Sequence, residues 1–187
     1  MSEECDCLSW DKAINDELCK EIINLGEGNW DIGTTSKYKL HNPDRKNDIV
    51  WIHEQWIYDL IWNFMMSANE QAGWKYKIVA AERCQLTRYS KDGFYNWHRD
   101  GLGSHNAIYD EPDDELIHGN TRKISMSIVL NSDFEGGEFE IDGNDDVPIL
   151  KEGSVIVFPS VLRHRVTPVT KGTRYSLVAW FIGPPFV

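Results

Sequence analysis

The chain has 187 residues, with 19 basic side chains, 30 acidic side chains and a formal net charge of -11 at pH 7. This length allows one domain with a substantial core, or a core with an added helical layer. The hydrophobic content of 41% is typical of a globular chain, not a disordered one. The negative charge argues against general affinity for nucleic acid, because phosphate binding needs a basic surface. A cationic or neutral substrate is therefore expected.

The sequence also constrains the compartment. No apolar run approaches the roughly 20 residues that a bilayer crossing needs, and the first residues lack the basic and apolar regions of a secretory signal. The four cysteines are few and irregularly spaced, which suits a reducing compartment. We therefore expect a cytoplasmic protein with no membrane partner.

Two amphipathic helices are predicted in the N-terminal part. Ser9 is a suitable N-cap for a helix from about Trp10 to Leu25, and a second helix is predicted from Glu54 to Ala72. Between them, Ile49 to Ile52 has the composition of a short strand. We expect residues 1–76 to form a helical support region packed on the core.

From residue 77 the apolar pattern changes to a period of two, interrupted by Asp-Gly, Gly-Gly and Lys-Gly turns. The predicted strands are 78–89, 94–100, 122–131, 137–141, 154–158, 164–168 and 173–182. Many short strands with close turns predict a sandwich or barrel. The expected fold is mainly β with N-terminal helices, with a double-stranded β-helix (jelly roll, cupin-like) core in residues 77–187 and one compact domain overall.

Three side chains have the order and spacing of a metal-binding set. His98 and Asp100 are two residues apart, so on an extended strand they point to the same side. With His164 they would cover one triangular face of a metal ion. Two histidines and one carboxylate are the ligand pattern of non-haem Fe(II) oxygenases. The alternative is that both histidines are ordinary core or surface residues, and their places near strand ends and turns favour the metal site.

The last predicted strand carries a cation in apolar surroundings. Arg174 shares one strand face with Ser176, Val178 and Trp180, and both faces of this strand are largely apolar. A buried arginine is costly unless it meets an anion, and its planar guanidinium suits a carboxylate. We expect Arg174 to bind an acidic co-substrate. The alternative is an ion pair with a carboxylate of the protein.

The strand before Ser90 has a polar face formed by Gln85, Thr87 and Tyr89. A polar face inside a barrel usually lines a ligand cavity. Tyr89 is therefore assigned as a co-substrate contact. Ser125 and Ser127 also lie on an alternating strand and could line the same cavity.

The motif order of the chain resembles that of the Fe(II)/2-oxoglutarate-dependent dioxygenases of the prolyl 4-hydroxylase type, over roughly residues 80 to 183. The motifs are Tyr89-x5-Tyr95-x2-His98-x-Asp100, Arg122 at a strand start, Leu130-Asn131, Gly136-Gly137-Glu138-Phe139, Gly153-Ser154-x3-Phe158-Pro159, His164-x3-Thr167-Pro168-Val169 and Gly172-x-Arg174-Tyr175-Ser176.

The resemblance implies specific roles for these residues. His98, Asp100 and His164 would bind Fe(II), Arg174 would bind the distal carboxylate of 2-oxoglutarate, and Ser176 matches an adjacent hydroxyl of some relatives. It also implies O2 as a co-substrate and ascorbate as a candidate reductant.

The implied activity is hydroxylation of an unactivated C–H bond with release of succinate and CO2, and the first substrate is a peptidyl proline. Three alternatives stay open at this stage. They are a 2-oxoglutarate oxygenase acting on a free amino acid or small metabolite, a non-catalytic metal-binding jelly-roll module, and a nucleic-acid demethylase, which the acidic charge disfavours.

The loop between Gly101 and Thr121 contains five acidic residues, Asp110, Glu111, Asp113, Asp114 and Glu115. It is interpreted either as a solvated loop or as a lid beside the metal site, and a lid of this charge would favour a basic peptide or protein substrate. The substrate-binding candidates at the rim are Tyr95, Trp97 and Arg99.

Overall fold

The computed structural model describes residues 6–33, 43–101, 107–145, 147–148 and 150–186. These residues form two helices, α1 Asp16–Asn24 and α2 Gln55–Gln71. They also form the strands β1 Leu8–Trp10, β2 Asp31–Ile32, β3 Arg45–Lys46, β4 Asp48–Ile52, β5 Ala80–Ala81, β6 Cys84–Tyr89, β7 Phe94–His98, β8 Thr121–Val129, β9 Phe134–Gly136, β10 Phe139–Ile141, β11 Val155–Pro159, β12 His164–Val166, β13 Val169–Gly172 and β14 Arg174–Gly183.

The strands form two packed antiparallel sheets, which confirms the predicted jelly roll. The major sheet has the order β1-β11-β8-β14-β6-β4-β2, with β5 also paired to β14, and the minor sheet has the order β10-β12-β7-β3. A two-stranded ribbon pairs β13 with β9. Side chains from the facing sheets pack together, and Phe139 of the minor sheet lies 5.3 Å from Phe158 of the major sheet between ring centroids.

The other face of the major sheet is covered by the two helices. Because successive strand residues point to opposite faces, Leu86, Ile128 and Leu177 face the helices and pack with Ile57 and Ile61 of α2. The predicted second helix is confirmed, since α2 starts and ends within one residue of the predicted bounds. In the part of the chain that the model describes, neither helix has the length and apolar content for crossing a bilayer.

The predicted start of the first helix was wrong. The segment Leu8–Trp10 is a strand that pairs with β11, and α1 begins only at Asp16. The side chain of Asn15, not that of Ser9, caps the helix by accepting a 2.9 Å hydrogen bond from the Leu18 N–H group. Pairing with β11 satisfies the backbone hydrogen bonds of Leu8–Trp10. The sequence around Ser9 does not reveal this partner, because β11 is distant along the chain.

Residues 1–76 supply strands as well as helices. β1, β2 and β4 extend the major sheet, and β3 extends the minor sheet by pairing Arg45 with Tyr95 of β7. The predicted strand 78–89 is divided into β5 and β6, both of which pair with β14. The N-terminal region therefore forms part of the jelly-roll walls, and the boundary at residue 77 stays a prediction.

Gly153 lies against the backbone of Ile14, where the N-terminal segment contacts the major sheet. Its φ is +78°, and a Cβ added here would collide with the Ile14 carbonyl oxygen, whose residue donates its N–H group to Gly153 O at 3.1 Å. Gly143 has the same φ of +78° but nothing within 4 Å of an added Cβ. We expect Gly143→Ala to lower the free energy of unfolding by about 1–2 kcal/mol, from backbone strain alone.

Gly153→Ala should cost at least about 2 kcal/mol more than Gly143→Ala, because the collision adds to the same strain. Urea unfolding with an unchanged m-value measures the difference. Equal destabilisation by the two substitutions would show that the contact between Gly153 and Ile14 does not hold the N-terminal segment in place.

Candidate metal centre

Three predicted ligands meet at one end of the space between the sheets. His98 ends β7 and His164 begins β12, and these two residues are direct partners in the antiparallel register. Asp100 lies two residues beyond the end of β7, and its carboxylate oxygens are 3.7 Å from His98 Nε2 and 3.6 Å from His164 Nε2. One ligand atom from each side chain lies within 4.8 Å of the other two. The set forms the triangular face expected from the sequence.

Backbone carbonyl groups orient both imidazoles. His98 Nδ1 lies 2.7 Å from the carbonyl oxygen of Asn96, and His164 Nδ1 lies 3.0 Å from that of Leu162. A carbonyl only accepts hydrogen bonds, so each Nδ1 carries the proton and each Nε2 keeps its lone pair for a metal. The ring of Tyr95 stacks on His98 with 3.5 Å between centroids, which fixes the plane of that imidazole.

Two serines hold the carboxylate ligand. Ser125 Oγ donates a 2.7 Å hydrogen bond to Asp100 Oδ2 and lies 2.8 Å from Ser160 Oγ. The Asp100 backbone N–H group donates to the Ser160 carbonyl oxygen at 3.2 Å. The alternating pattern of its strand indicated Ser125 as a cavity candidate, but Ser160 was missed, because no sequence spacing connects it with Asp100.

Burial and neighbouring charges set the ionisation of the ligands. Burial, followed by the nearby His164, lowers the pKa of His98 to about 3. Burial alone would raise the pKa of Asp100, but His164, His98, Arg122 and the Ser125 hydrogen bond together lower it below its usual range. At neutral pH the site therefore presents a neutral imidazole beside a carboxylate. These are the forms that bind a divalent metal, so the donor set fits Fe(II).

Arg174 lines the same cavity as the three predicted metal ligands, and one of its nitrogen atoms donates no hydrogen bond. It begins β14, its exposed fraction is 1%, and its Nη1 donates a 3.0 Å hydrogen bond to Ser176 Oγ. Its Nε is fully buried without a hydrogen-bond partner, and among the described residues no carboxylate lies within ion-pairing distance of it. Burial lowers the pKa of Arg174, while Tyr89 and Glu138 act in the opposite direction. The alternative that Arg174 pairs with a protein carboxylate is not supported by the described residues.

The cavity joins the three ligands to the arginine. All three predicted co-substrate contacts, Tyr89, Arg174 and Ser176, line it. The other lining residues are Gln85, Tyr95, His98, Asp100, Met126, Ser127, Phe139, Phe158, His164, Val166, Val178 and Trp180. Carboxylate-binding groups thus face metal-binding groups across a largely apolar space.

The three substrate-binding candidates are not placed together. Tyr95 lines the cavity, whereas Trp97 contacts the Arg163 and Arg165 guanidinium groups, whose carbons lie 5.5 and 4.6 Å from its ring. Trp97 precedes His98 on the same strand, and neighbouring strand residues point to opposite faces. Arg99 is exposed and its Nε donates to the Val161 carbonyl oxygen at 2.8 Å. A substrate role for Trp97 or Arg99 stays a prediction.

Sequence reasoning missed two further arginines as site residues. Arg45 lies with its guanidinium carbon 4.5 Å from the Tyr95 ring and donates to Gln85 at 3.2 Å. Arg122 lies over the Trp180 ring, with 4.0 Å between its guanidinium carbon and the ring centroid. Arg122 starts a predicted strand, but this position does not reveal the direction of its side chain, and Arg45 lies outside every predicted helix and strand.

Removal of one predicted ligand tests the assignment of the metal site. His164→Ala should raise the dissociation constant for Fe(II) by more than about 100-fold, since even partners outside the coordination shell contribute about 10- to 100-fold. His118→Ala is the matched control, because His118 is half exposed and lies beside Asp110 in the acidic loop. Anaerobic calorimetric titration measures both. Equal affinity in the two variants would contradict the assignment.

Solved structures with the same fold include two prolyl hydroxylases. A viral collagen prolyl hydroxylase from Paramecium Bursaria Chlorella virus-1 has a TM-score of 0.68 at 19% identity, covering 96% of this chain and 97% of that one. A prolyl-4-hydroxylase from Pseudomonas putida has a TM-score of 0.65 at 20% identity, covering 94% and 91%. At these identities the likeness shows the fold.

Sequence relatives identify the family. A PKHD-type hydroxylase of Synechococcus sp. strain CC9311 is 30% identical over 182 residues, which cover 91% of this chain and 73% of the relative. A PKHD-type hydroxylase of Idiomarina loihiensis is 33% identical over 102 residues, so the match spans only 41% of that relative and 52% of this chain. The family model of the 2OG-Fe(II) oxygenase superfamily matches residues 84–182, which include all three predicted metal ligands and Arg174. The chain belongs to the 2OG-Fe(II) oxygenase superfamily.

Proposed function

We propose that the protein is an Fe(II)- and 2-oxoglutarate-dependent dioxygenase that hydroxylates an unactivated C–H bond of a peptidyl proline, with release of succinate and CO2. The observation that carries this proposal is the placement of a buried, incompletely hydrogen-bonded arginine in the same cavity as a histidine, aspartate and histidine set. A metal ion alone would have no use for that cation.

The metal, 2-oxoglutarate and O2 supply the oxidising chemistry when bound. His98 and His164 would hold the metal through Nε2, and Asp100 through its carboxylate, which Ser125 orients. The protein's part is to fix these ligands before binding, so that little rearrangement is required on binding.

Arg174 would hold the distal carboxylate of 2-oxoglutarate. Its Nη1 is already bonded to Ser176 and its Nε is unpaired, so a carboxylate would complete the hydrogen bonds of a group that burial otherwise destabilises. Tyr89, whose ring lies 5.7 Å from the Arg174 guanidinium carbon, would close the same end of the cavity. Apolar walls including Phe158 and Val166 would exclude water from the metal end.

A proline-containing peptide is supported by the names of the relatives and by the aromatic wall of the cavity. The fold neighbours include prolyl hydroxylases, and Tyr95 and Trp180 present aromatic surface beside the metal ligands. The five acidic side chains of the loop at 110–115 are exposed, which favours a basic peptide or protein over an acidic one or a nucleic acid. The free thiols of Cys19 and Cys84 support a cytoplasmic location.

Arg174→Ala should weaken 2-oxoglutarate binding by roughly 30-fold or more, because removing one partner of a buried charged pair costs about 2–5 kcal/mol. Fe(II) affinity should be unchanged, since Arg174 makes no contact with the metal ligands in the described hydrogen bonds. Arg163→Ala is the control, because Arg163 is an exposed arginine paired with Asp142. Calorimetry with 2-oxoglutarate under anaerobic conditions measures both, and unchanged affinity in Arg174→Ala would show that another cation binds the co-substrate.

Turnover distinguishes the candidate activities. We expect proline-containing peptides, with basic flanks preferred, to gain the mass of one oxygen in a reaction that requires Fe(II) and 2-oxoglutarate and forms one succinate per hydroxylation. Ascorbate is included as reductant, and its omission tests the predicted dependence. Oxygen incorporation only into free amino acids or metabolites would support the second candidate. Fe(II) binding without 2-oxoglutarate binding would support the non-catalytic module.

A further inference from the structure

The acidic loop after the metal ligands is closed at its base. The Tyr109 N–H group donates to the Asn120 carbonyl oxygen at 2.9 Å, and the Gly119 N–H group donates to the Tyr109 carbonyl oxygen at 2.9 Å. The Thr121 hydroxyl donates to the Ala107 carbonyl oxygen, also at 2.9 Å. These bonds join the two ends of the segment 107–120.

Tyr109 is the buried residue of this segment. Its exposed fraction is 7%, whereas its neighbours Ile108 and Asp110 are exposed. The Tyr109 hydroxyl donates a 2.7 Å hydrogen bond to Glu82 Oε1, in the connection between β5 and β6. One side chain of the loop therefore reaches the end of the major sheet.

Glu82 connects Tyr109 with the wall of the metal cavity. Its two carboxylate oxygens accept 2.7 Å hydrogen bonds from Nε and Nη2 of Arg122. The Arg122 guanidinium in turn lies 4.0 Å from the ring of Trp180, which lines the metal cavity. A continuous series of contacts thus runs from the acidic loop, through Tyr109, Glu82 and Arg122, to Trp180.

The components of this series are mostly buried. The exposed fractions of the Arg122 and Glu82 side chains are 14% and 11%. Hydrogen bonds to a carboxylate are stronger than neutral ones, and in a low-dielectric site they reinforce one another. The hydroxyl of Tyr109 is the component of this series that comes from the loop, so its removal would break the contact of the loop with Glu82 and leave the Glu82–Arg122 pair intact.

We propose that Tyr109 is a positioning residue, which fixes the segment 107–120 against the Arg122–Trp180 wall and so shapes the approach of substrate to the metal. The consequence for substrate rests on the proposed function; the anchoring itself does not. The metal ligands, Arg174 and Ser176 make no hydrogen bond in this series, so metal and 2-oxoglutarate binding should not depend on Tyr109.

Tyr109→Phe tests the proposal, because it removes the hydroxyl and keeps the buried ring. The matched control is Tyr58→Phe, which also removes a hydroxyl, at 3.1 Å from His53 Nδ1, on the helical side of the protein. Both variants are compared with the wild type by amide hydrogen exchange of the segment 107–120, by 2-oxoglutarate affinity, and by KM and kcat for the peptide found in the turnover screen.

In Tyr109→Phe we expect amides of the segment 107–120 to exchange faster and the peptide KM to rise by roughly 10- to 150-fold, the range for loss of one hydrogen bond to a charged group. The kcat and the 2-oxoglutarate affinity should match those of Tyr58→Phe.

Unchanged exchange in Tyr109→Phe would overturn the anchoring whether or not the enzyme turns over. Faster exchange with an unchanged KM would overturn the role of Tyr109 in substrate approach. Absence of any turnover by the wild type would count against the proposed function, and the hydrogen-exchange result would then decide whether Tyr109 anchors the segment.

Discussion

The direct pairing of β7 with β12 is the constraint on which the metal centre depends. The antiparallel register places His98 opposite His164 at the end of the minor sheet, where the chain turns and brings Asp100 within 4 Å of both Nε2 atoms. A slip of one residue in this register would turn one imidazole to the outer face of the sheet, because strand side chains alternate. The backbone carbonyls of Asn96 and Leu162 then fix the ring orientations. Register and ring tautomer together leave both Nε2 atoms available to a metal.

The second constraint is the cost of buried charge. Asp100 is supported by Ser125, and Arg122 is paired with Glu82 through Nε and Nη2, whereas the Nε of Arg174 lacks a partner in the described structure. An unsatisfied donor in a buried site costs on the order of 1–3 kcal/mol. The fold tolerates this cost at one arginine, and that arginine lies in the cavity of the metal ligands. A bound anion would therefore satisfy a buried donor that the described residues leave unpaired.

The role of each arginine depends on the side chains that it contacts, more than on its residue type. Arg122 is held by a carboxylate and covers the ring of Trp180, while Arg165 pairs with Glu140 and covers Trp97 on the other side of the minor sheet. Arg174 has a hydroxyl as its hydrogen-bond partner and no carboxylate within ion-pairing distance among the described residues. Similar cation and aromatic pairs thus lie in the two different sheets, and of these two pairs only the one formed by Arg122 and Trp180 adjoins the metal cavity. Charge and aromaticity in the sequence do not separate these situations.

The sequence by itself determined the features that depend on local periodicity and on motif order. These are α2, the antiparallel jelly roll, the set of His98, Asp100 and His164, and the burial of Arg174, each indicated by spacing along a strand or helix. The tertiary structure alone decided the start of α1, the support of Asp100 by Ser160, and the outward direction of Trp97. It also decided that Tyr109 reaches Glu82. These features depend on partners that are distant in the sequence or on the sheet face that a strand presents, and those are fixed only when the two sheets pack together.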